Sequence, residues 1–239
     1  MKRTAALLAL LLSTSVYAET PNLATTPVQR PEPGLQARHE KFNAISKEGK
    51  AELVFLGDSI TQGWEGNGKA AWEKHWAPLN AANFGIGGDR TEHVLWRLEH
   101  GNFDGLKPKA IVLMIGTNNT GHQKPDGYQS PAKNTAEGVK VILEKLKAKA
   151  PQAKILVLGI FPRGATPDDK WRKQNEETNA IIKGFADDKT VFYMDIGPKF
   201  LAADGTLTKE IMPDLLHLSP KGYEIWAEAI EPKVKELLK

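Results

Sequence analysis

The sequence predicts an α/β protein, a three-layer α/β/α sandwich built on a five-stranded parallel sheet. Two observations carry this. Five short apolar runs lack strict polar alternation, as expected of strands covered on both faces, and segments of helix length separate them. Strands and helices alternating in this way build a parallel sheet with helices on both sides.

In chain order, residues 1–18 have a basic start at Lys2 and Arg3, an apolar run from Ala5 to Leu12, and Val16 and Ala18 ahead of Glu19. This reads as a secretory signal cleaved after Ala18, and it predicts export to the periplasm or the medium. The run is too short to span a bilayer, and no later stretch approaches that length, so no stable membrane insertion is expected. Residues 19–34 are rich in Pro and Thr and lack apolar periodicity, which predicts a flexible linker. Residues 35–239 form one domain, opening with a helix ended by Gly49. Strands follow at 52–57, 81–86, 110–116, 154–160 and 190–196, with helices at 91–101, 134–150 and 169–188. Ser219 and Pro220 are a favourable cap and first-turn pair for a last helix.

Of the 239 residues, 41% are hydrophobic and 26% charged, the profile of a soluble globular chain with enough residues for a sizeable core. With no cysteine there are no disulfides and no thiolate nucleophile. The formal charge of +3 falls by two when Lys2 and Arg3 leave with the signal, so there is no electrostatic case for nucleic acid. The basic stretch 143–150 is the solvated face of an amphipathic helix that buries Val139, Ile142, Leu143 and Leu146.

Ligands of open parallel sheets sit beyond the carboxyl ends of the strands. The loops there read GDSIT after the first strand, GGDRT after the second, GTNN after the third and FPRG after the fourth. Ser59 in the first is either a helix cap or a nucleophile. A nucleophilic serine needs a base, and the base needs a group that fixes its tautomer. Among six histidines, His39, His75, His93, His100 and His122 lie in helical segments or polar loops with no acid in a telling position. His217 follows Asp214 by three residues, so a turn can bring the carboxylate to one imidazole nitrogen while the other faces the cleft. Donors for a developing oxyanion are available at the Gly88 amide and the Asn118 side chain. A phosphate cradle is the weaker reading of the glycine loop, because Arg90 stands where a dinucleotide loop wants its last Gly and Asp89 would repel phosphate.

Gly57-Asp58-Ser59-Ile60, Gly88, Gly116-Thr117-Asn118 and Asp214-x-x-His217 occur in the order of the four blocks of the SGNH (GDSL) hydrolases, and the chain resembles that family. The stretches from Asn83 to Asn119 and from Gln152 to Gly164 are most similar to the catalytic subunits of the type Ib platelet-activating-factor acetylhydrolases. The resemblance covers roughly residues 35 to 232. It implies a flavodoxin-like SGNH fold and a serine esterase. Ser59 would be the nucleophile, His217 the base and then acid, and Asp214 the group orienting His217. The oxyanion donors would be the amides of Ser59 and Gly88 and the side chain of Asn118. No metal or organic cofactor is implied. Ile60 stands where many members have Leu. The acetylhydrolase subunits are cytoplasmic, whereas this chain opens with a signal, which leaves the substrate open.

Ile60, Thr117 and Leu216 adjoin the catalytic positions, and if all three crowd the acyl side of Ser59 the pocket fits acetyl better than longer chains. The substrate expected first is an O-acetyl group on extracellular carbohydrate, with Trp64, Trp72, Trp76 and Trp171 as candidate faces for sugar rings. The alternative is a lipid esterase or lysophospholipase, weakened by the lack of an evident amphipathic membrane-binding helix. A glycan-binding protein that lost its chemistry is the rival from another class.

Overall fold

The computed structural model describes residues 21–121 and 128–239. The signal expected at 1–18 and His122 lie outside the described residues. Five strands, β1 (Leu53–Gly57), β2 (Ala81–Gly85), β3 (Ala110–Met114), β4 (Lys154–Leu158) and β5 (Val191–Met194), pair in parallel in the order β2-β1-β3-β4-β5. The chain steps from β1 to one side, then returns across it to β3. The carboxyl ends of β1 and β3 therefore flank the point where the strand order reverses, where such sheets open a crevice.

Strand residues alternate between two cores. Val54, Leu56, Ile111, Leu113, Ile155 and Val157 face one side. There they meet α1 (Pro33–Glu48), α4 (Thr91–Glu99) and α5 (Ala132–Lys149) through Phe42, Val94, Leu98, Val139, Ile142 and Leu146. Leu53, Phe55, Val112, Met114, Leu156 and Leu158 face the other. Helices α2 (Ser59–Gln62), α3 (Lys69–His75) and α7 (Pro220–Leu237) cover that side. Burial on both faces explains why the strands read as continuous apolar runs. The second core is aromatic: Phe55, Trp64, Trp76, Tyr223 and Trp226 are all nearly fully buried, with Trp64 and Trp226 ring centroids 4.7 Å apart. Helix α6 (Lys170–Ile182) packs beside α5 and is shorter than the 169–188 expected, because its last turn tightens into a 3-10 helix at Lys183–Phe185.

The N-terminal segment departs from expectation. From Asn22 onward it is not a free linker. Ala24 is fully buried and its carbonyl accepts the Thr91 hydroxyl at 2.8 Å, Val28 N–H donates to Glu92 O at 3.1 Å, and the Asn22 side chain donates to Glu137 at 3.0 Å. Gly138 makes the crossing possible, since a Cβ there would come 2.5 Å from Ala24 O. Pro and Thr here mark a strap, a 3-10 turn at Leu23–Thr25 followed by irregular chain, laid across α4 and α5, whose polar composition hides its contacts. Gly49 closes α1 in the left-handed conformation, and Ser219 caps α7, both as the sequence predicts.

Candidate active site

The cap after β1 is Asp58, not Ser59. Asp58 Oδ1 accepts the Ile60 amide at 2.9 Å, which frees the Ser59 hydroxyl for another partner. That partner is His217, whose Nε2 lies 2.8 Å from Ser59 Oγ across 158 residues of chain. His217 sits in a self-contained turn. Asp214 Oδ1 accepts the amides of Leu216 at 3.1 Å and His217 at 2.7 Å, and Asp214 Oδ2 meets His217 Nδ1 at 2.6 Å. Leu215 takes a left-handed backbone, φ 61°, and its carbonyl accepts Gly164 N–H at 3.0 Å, docking the turn on the loop after β4. Such a conformation is costly for a branched residue and gathers at functional sites.

Burial pushes the Asp214 carboxyl up, but hydrogen bonds from the His217 ring and amide and the Leu216 amide outweigh it and hold it below the usual carboxylate range. An ionised carboxylate accepts only, so His217 Nδ1 carries the hydrogen and the Nε2 lone pair faces Ser59 Oγ–H. The arrangement can pass a proton from serine to imidazole.

The loop after β2 supplies the other half. Gly87 N–H donates to Gln62 Oε1 at 2.7 Å, Asp89 N–H donates to Ile86 O at 3.1 Å, and Asn118 Nδ2 donates to Asp89 O at 2.9 Å. Gly88 has φ 77°, which favours glycine, and its N–H donates to no acceptor among the described residues. The N–H of Ser59, first residue of α2, is likewise unengaged. A Cβ on Gly87 would lie 3.8 Å from Ser59 Cβ, so the loop abuts the serine. Asn118 keeps a second N–H beyond the one given to Asp89. Three donors are thus available, on Ser59 itself, on the loop that abuts it and on the Asn118 turn tied to that loop.

Beneath them lies a buried polar layer. Asp58 is fully buried, its Oδ2 has no partner, and desolvation raises its carboxyl to about 7, opposed by the Ile60 amide, His217 and Arg163. Arg163 is buried too, donating from Nη1 to Thr117 O and Oγ1, each at 3.1 Å. Asp89 pairs with Arg97 at 2.9 Å.

Hydrogen bonds thus join Ser59, His217 and Asp214, and Asn118 is tied to the Gly88 loop, which abuts Ser59. The acyl pocket does not form as expected. Ile60 is 1% exposed in the aromatic core, and Thr117 is equally buried with its hydroxyl held by Arg163, because both belong to short helical turns that face inward. Leu216 alone of the three borders an open cavity, about 280 Å³, shared with Arg163, Trp171, Asp214 and His217. Trp64 and Trp76 are core, and Trp72 packs on them, so Trp171 is the one expected tryptophan at the cleft. His75 has acids beside it after all, Glu224 and Glu231 each at 3.1 Å, where it joins α3 to α7 away from the cleft. Sequence reasoning missed Gln62, Arg163 and Arg30, the last donating to Gly87 O at 2.5 Å. Gln62 had a signal, lying one turn after Ser59, and so did Arg163, which sits in the FPRG loop after the fourth strand; Arg30 had none.

Residues 55–225 match the GDSL-like Lipase/Acylhydrolase family model. The chain is 37% identical over 223 residues to human platelet-activating factor acetylhydrolase IB subunit alpha1, covering 92% of each chain. The alpha2 subunit of Rattus norvegicus is 35% identical over 203 residues, covering 84% of each. A GDSL-like lipase of Bacteroides thetaiotaomicron superposes with a TM-score of 0.66 at 19% identity, over 84% of this chain and 98% of that one. An acetylxylan esterase of Geobacillus stearothermophilus superposes at 0.60 with 18% identity, over 80% and 96%. With a serine, an imidazole and a carboxylate in line and the family match spanning most of the fold, this chain belongs to the GDSL-like lipase/acylhydrolase family and is a carboxylic ester hydrolase.

Proposed function

We propose that the protein is an acetyl-ester hydrolase working through an acyl-enzyme on Ser59. The observation that carries this reading is the unbroken hydrogen-bond line Ser59 Oγ to His217 Nε2, His217 Nδ1 to Asp214, beside two unengaged amides. Ser59 Oγ attacks the ester carbonyl as His217 Nε2 takes its proton, and the carbonyl oxygen, now an anion, is received by Ser59 N–H, Gly88 N–H and the second Asn118 N–H. The imidazolium returns the proton to the departing alcohol. Water then attacks the acyl-serine with His217 again as base, releasing acetate and free serine.

The acetyl preference draws support from the names of the relatives, acetylhydrolases, and of the structural neighbours that are acetylxylan esterases. For the alcohol, the reading is O-acetyl carbohydrate outside the cell. Trp171 offers an aromatic wall, with Arg163 and Asp214 as polar groups, in the cavity beside His217, and the signal read at residues 1–18 implies export. No helix of the described residues is long and apolar enough to cross a membrane. A second reading, an acetylated phospholipid, is favoured by the 37% identity to platelet-activating factor acetylhydrolase over almost the whole chain.

The experiment has two arms. A fluorophosphonate probe should label wild type on Ser59 and leave Ser59→Ala unlabelled, with Ser59→Ala losing ester turnover; turnover retained by that variant would sink the acyl-enzyme. Acetate release from acetylated xylan is then compared with release from a 2-acetyl glycerophospholipid. Faster release from the lipid would replace the carbohydrate reading with the second.

A further inference from the structure

We propose that Arg30, carried on the N-terminal strap, is a positioning residue for the oxyanion site, which makes residues 22–32 part of the esterase machinery although they lie outside the family-matched stretch 55–225. This rests on the reading of Gly88 N–H as an oxyanion donor.

The carbonyl of Gly87 and the amide of Gly88 belong to one peptide group. Among the described residues every peptide bond is trans, so the C=O and N–H of that plane point in opposite directions. Arg30 Nη1 donates to Gly87 O at 2.5 Å. Fixing that oxygen on one side fixes the direction of the Gly88 hydrogen on the other. Elsewhere in the loop, Gln62 holds the Gly87 N–H and Asn118 holds the Asp89 carbonyl, but Arg30 is the group that holds the carbonyl of the donor peptide itself. Two successive glycines offer little steric resistance to rotation of the plane between them. Without Arg30 that plane is free to turn its N–H away.

The guanidinium adds a second effect. A cation hydrogen-bonded to a peptide oxygen polarises the group and strengthens its N–H as a donor. Arg30 is held for this task. Its Nη1 lies 3.3 Å from the buried Asp89 carboxylate and its Nη2 3.2 Å from Glu32, while the Gln36 side chain donates to its own carbonyl. Asp89 in turn pairs with Arg97, and the strap is anchored by buried Ala24 and the Val28 amide. A Cβ on Gly88 would meet Arg30 Nη1 at 3.2 Å, so the guanidinium lies directly against the donor residue.

The test uses the full chain with p-nitrophenyl acetate as substrate. Arg30→Ala should lower kcat about 10- to 100-fold with KM within about twofold, since a misplaced donor weakens the transition state more than the bound ester. Arg30→Lys, which keeps one cationic donor but not the fork that spans Asp89 and Glu32, should fall between Arg30→Ala and wild type. Millimolar methylguanidinium should restore part of the Arg30→Ala rate and none of the Ser59→Ala rate. An Arg30→Ala enzyme with wild-type kcat, while Ser59→Ala is inactive, overturns the role of Arg30 and leaves the acyl-enzyme standing. Equal losses in the Ala and Lys variants, with no response to methylguanidinium and a lowered Tm, also overturn it, because they mark general packing. Turnover kept by Ser59→Ala overturns both readings.

Discussion

The two halves of the site are held in opposite ways. The acid-base half is local and exposed: Asp214 and His217 are fixed by bonds within four residues, and their side chains are 57% and 42% exposed. The oxyanion half is long-range and sheltered: the 86–90 loop is pinned by Arg30, Gln62, Asn118 and Arg97, all from other parts of the chain. The difference follows from what each half must do. A base must change charge and reach solvent for the second, hydrolytic step, which suits an exposed turn. An oxyanion donor must already point the right way when charge appears, and that rigidity comes from neighbours rather than from the loop itself.

The sharpest break of this comparison is Asp214→Asn. The amide still accepts backbone hydrogens, but it removes the carboxylate that fixes the His217 tautomer. Turnover of p-nitrophenyl acetate should fall by about 10³- to 10⁴-fold, while thermal melts shift little because the site is exposed. A large loss of Tm would show that the turn is structural for the whole domain. Next is Asn118→Ala, which removes one oxyanion donor and also frees the Asp89 carbonyl. It should cost about 10²- to 10³-fold in kcat with KM nearly unchanged, and unchanged turnover would remove Asn118 from the hole.

Much of this was readable in the residues. The strands, the order of loops at the sheet edge and the Asp214–His217 pair all appear within short windows, because the apolar runs and a three-residue turn are local patterns. The expected linker hid the strap because Ala24 and Val28 find partners on α4, nearly seventy residues away, and no local pattern records that. Ile60 and Thr117 were misplaced for a related reason. Adjacency to Ser59 and Asn118 in sequence does not fix the side to which a side chain points at the start of a helical turn, and both turn inward. Trp64 and Trp76 follow the usual tendency of aromatics to bury.

A smaller effect concerns the buried layer under Ser59. Desolvation raises the folded Asp58 carboxyl to about 7 from an ordinary value of 3.8. Between those two values the folded chain holds a proton that the unfolded chain releases. The contribution of Asp58 to stability is therefore complete below about pH 4 and is lost as pH rises through about 7. Asp58→Asn, which cannot ionise, should flatten this part of the pH dependence, so the variant gains relative to wild type from pH 4 to pH 8 by a few kcal/mol at most. Denaturant melts at both pH values check the sign; a difference independent of pH would rule out titration of Asp58 in this range.

The smallest expected effect is on acyl length. Leu216 borders the cavity whereas Ile60 and Thr117 do not, so Leu216→Ala should raise kcat/KM for p-nitrophenyl butyrate relative to acetate by a few-fold only, of the order of one or two methylenes of packing. No change in the ratio would place the acyl chain away from Leu216.

The aromatic core has an optical consequence. Trp64, Trp76 and Trp226 are buried, with the Trp64 ring centroid 4.7 Å from Trp226 and 6.2 Å from Trp76, close enough for excitation to migrate, so their emission reports the integrity of the layer formed by α3 and α7. Trp171 stands apart, beside His217 and 5.7 Å from the Arg163 guanidinium, where an occupant of the cleft changes its surroundings. The tryptophans thus include a group that reports unfolding and one that reports the occupied cleft. Trp171→Phe should abolish the fluorescence response to an occupied cleft and leave the unfolding signal of the aromatic core.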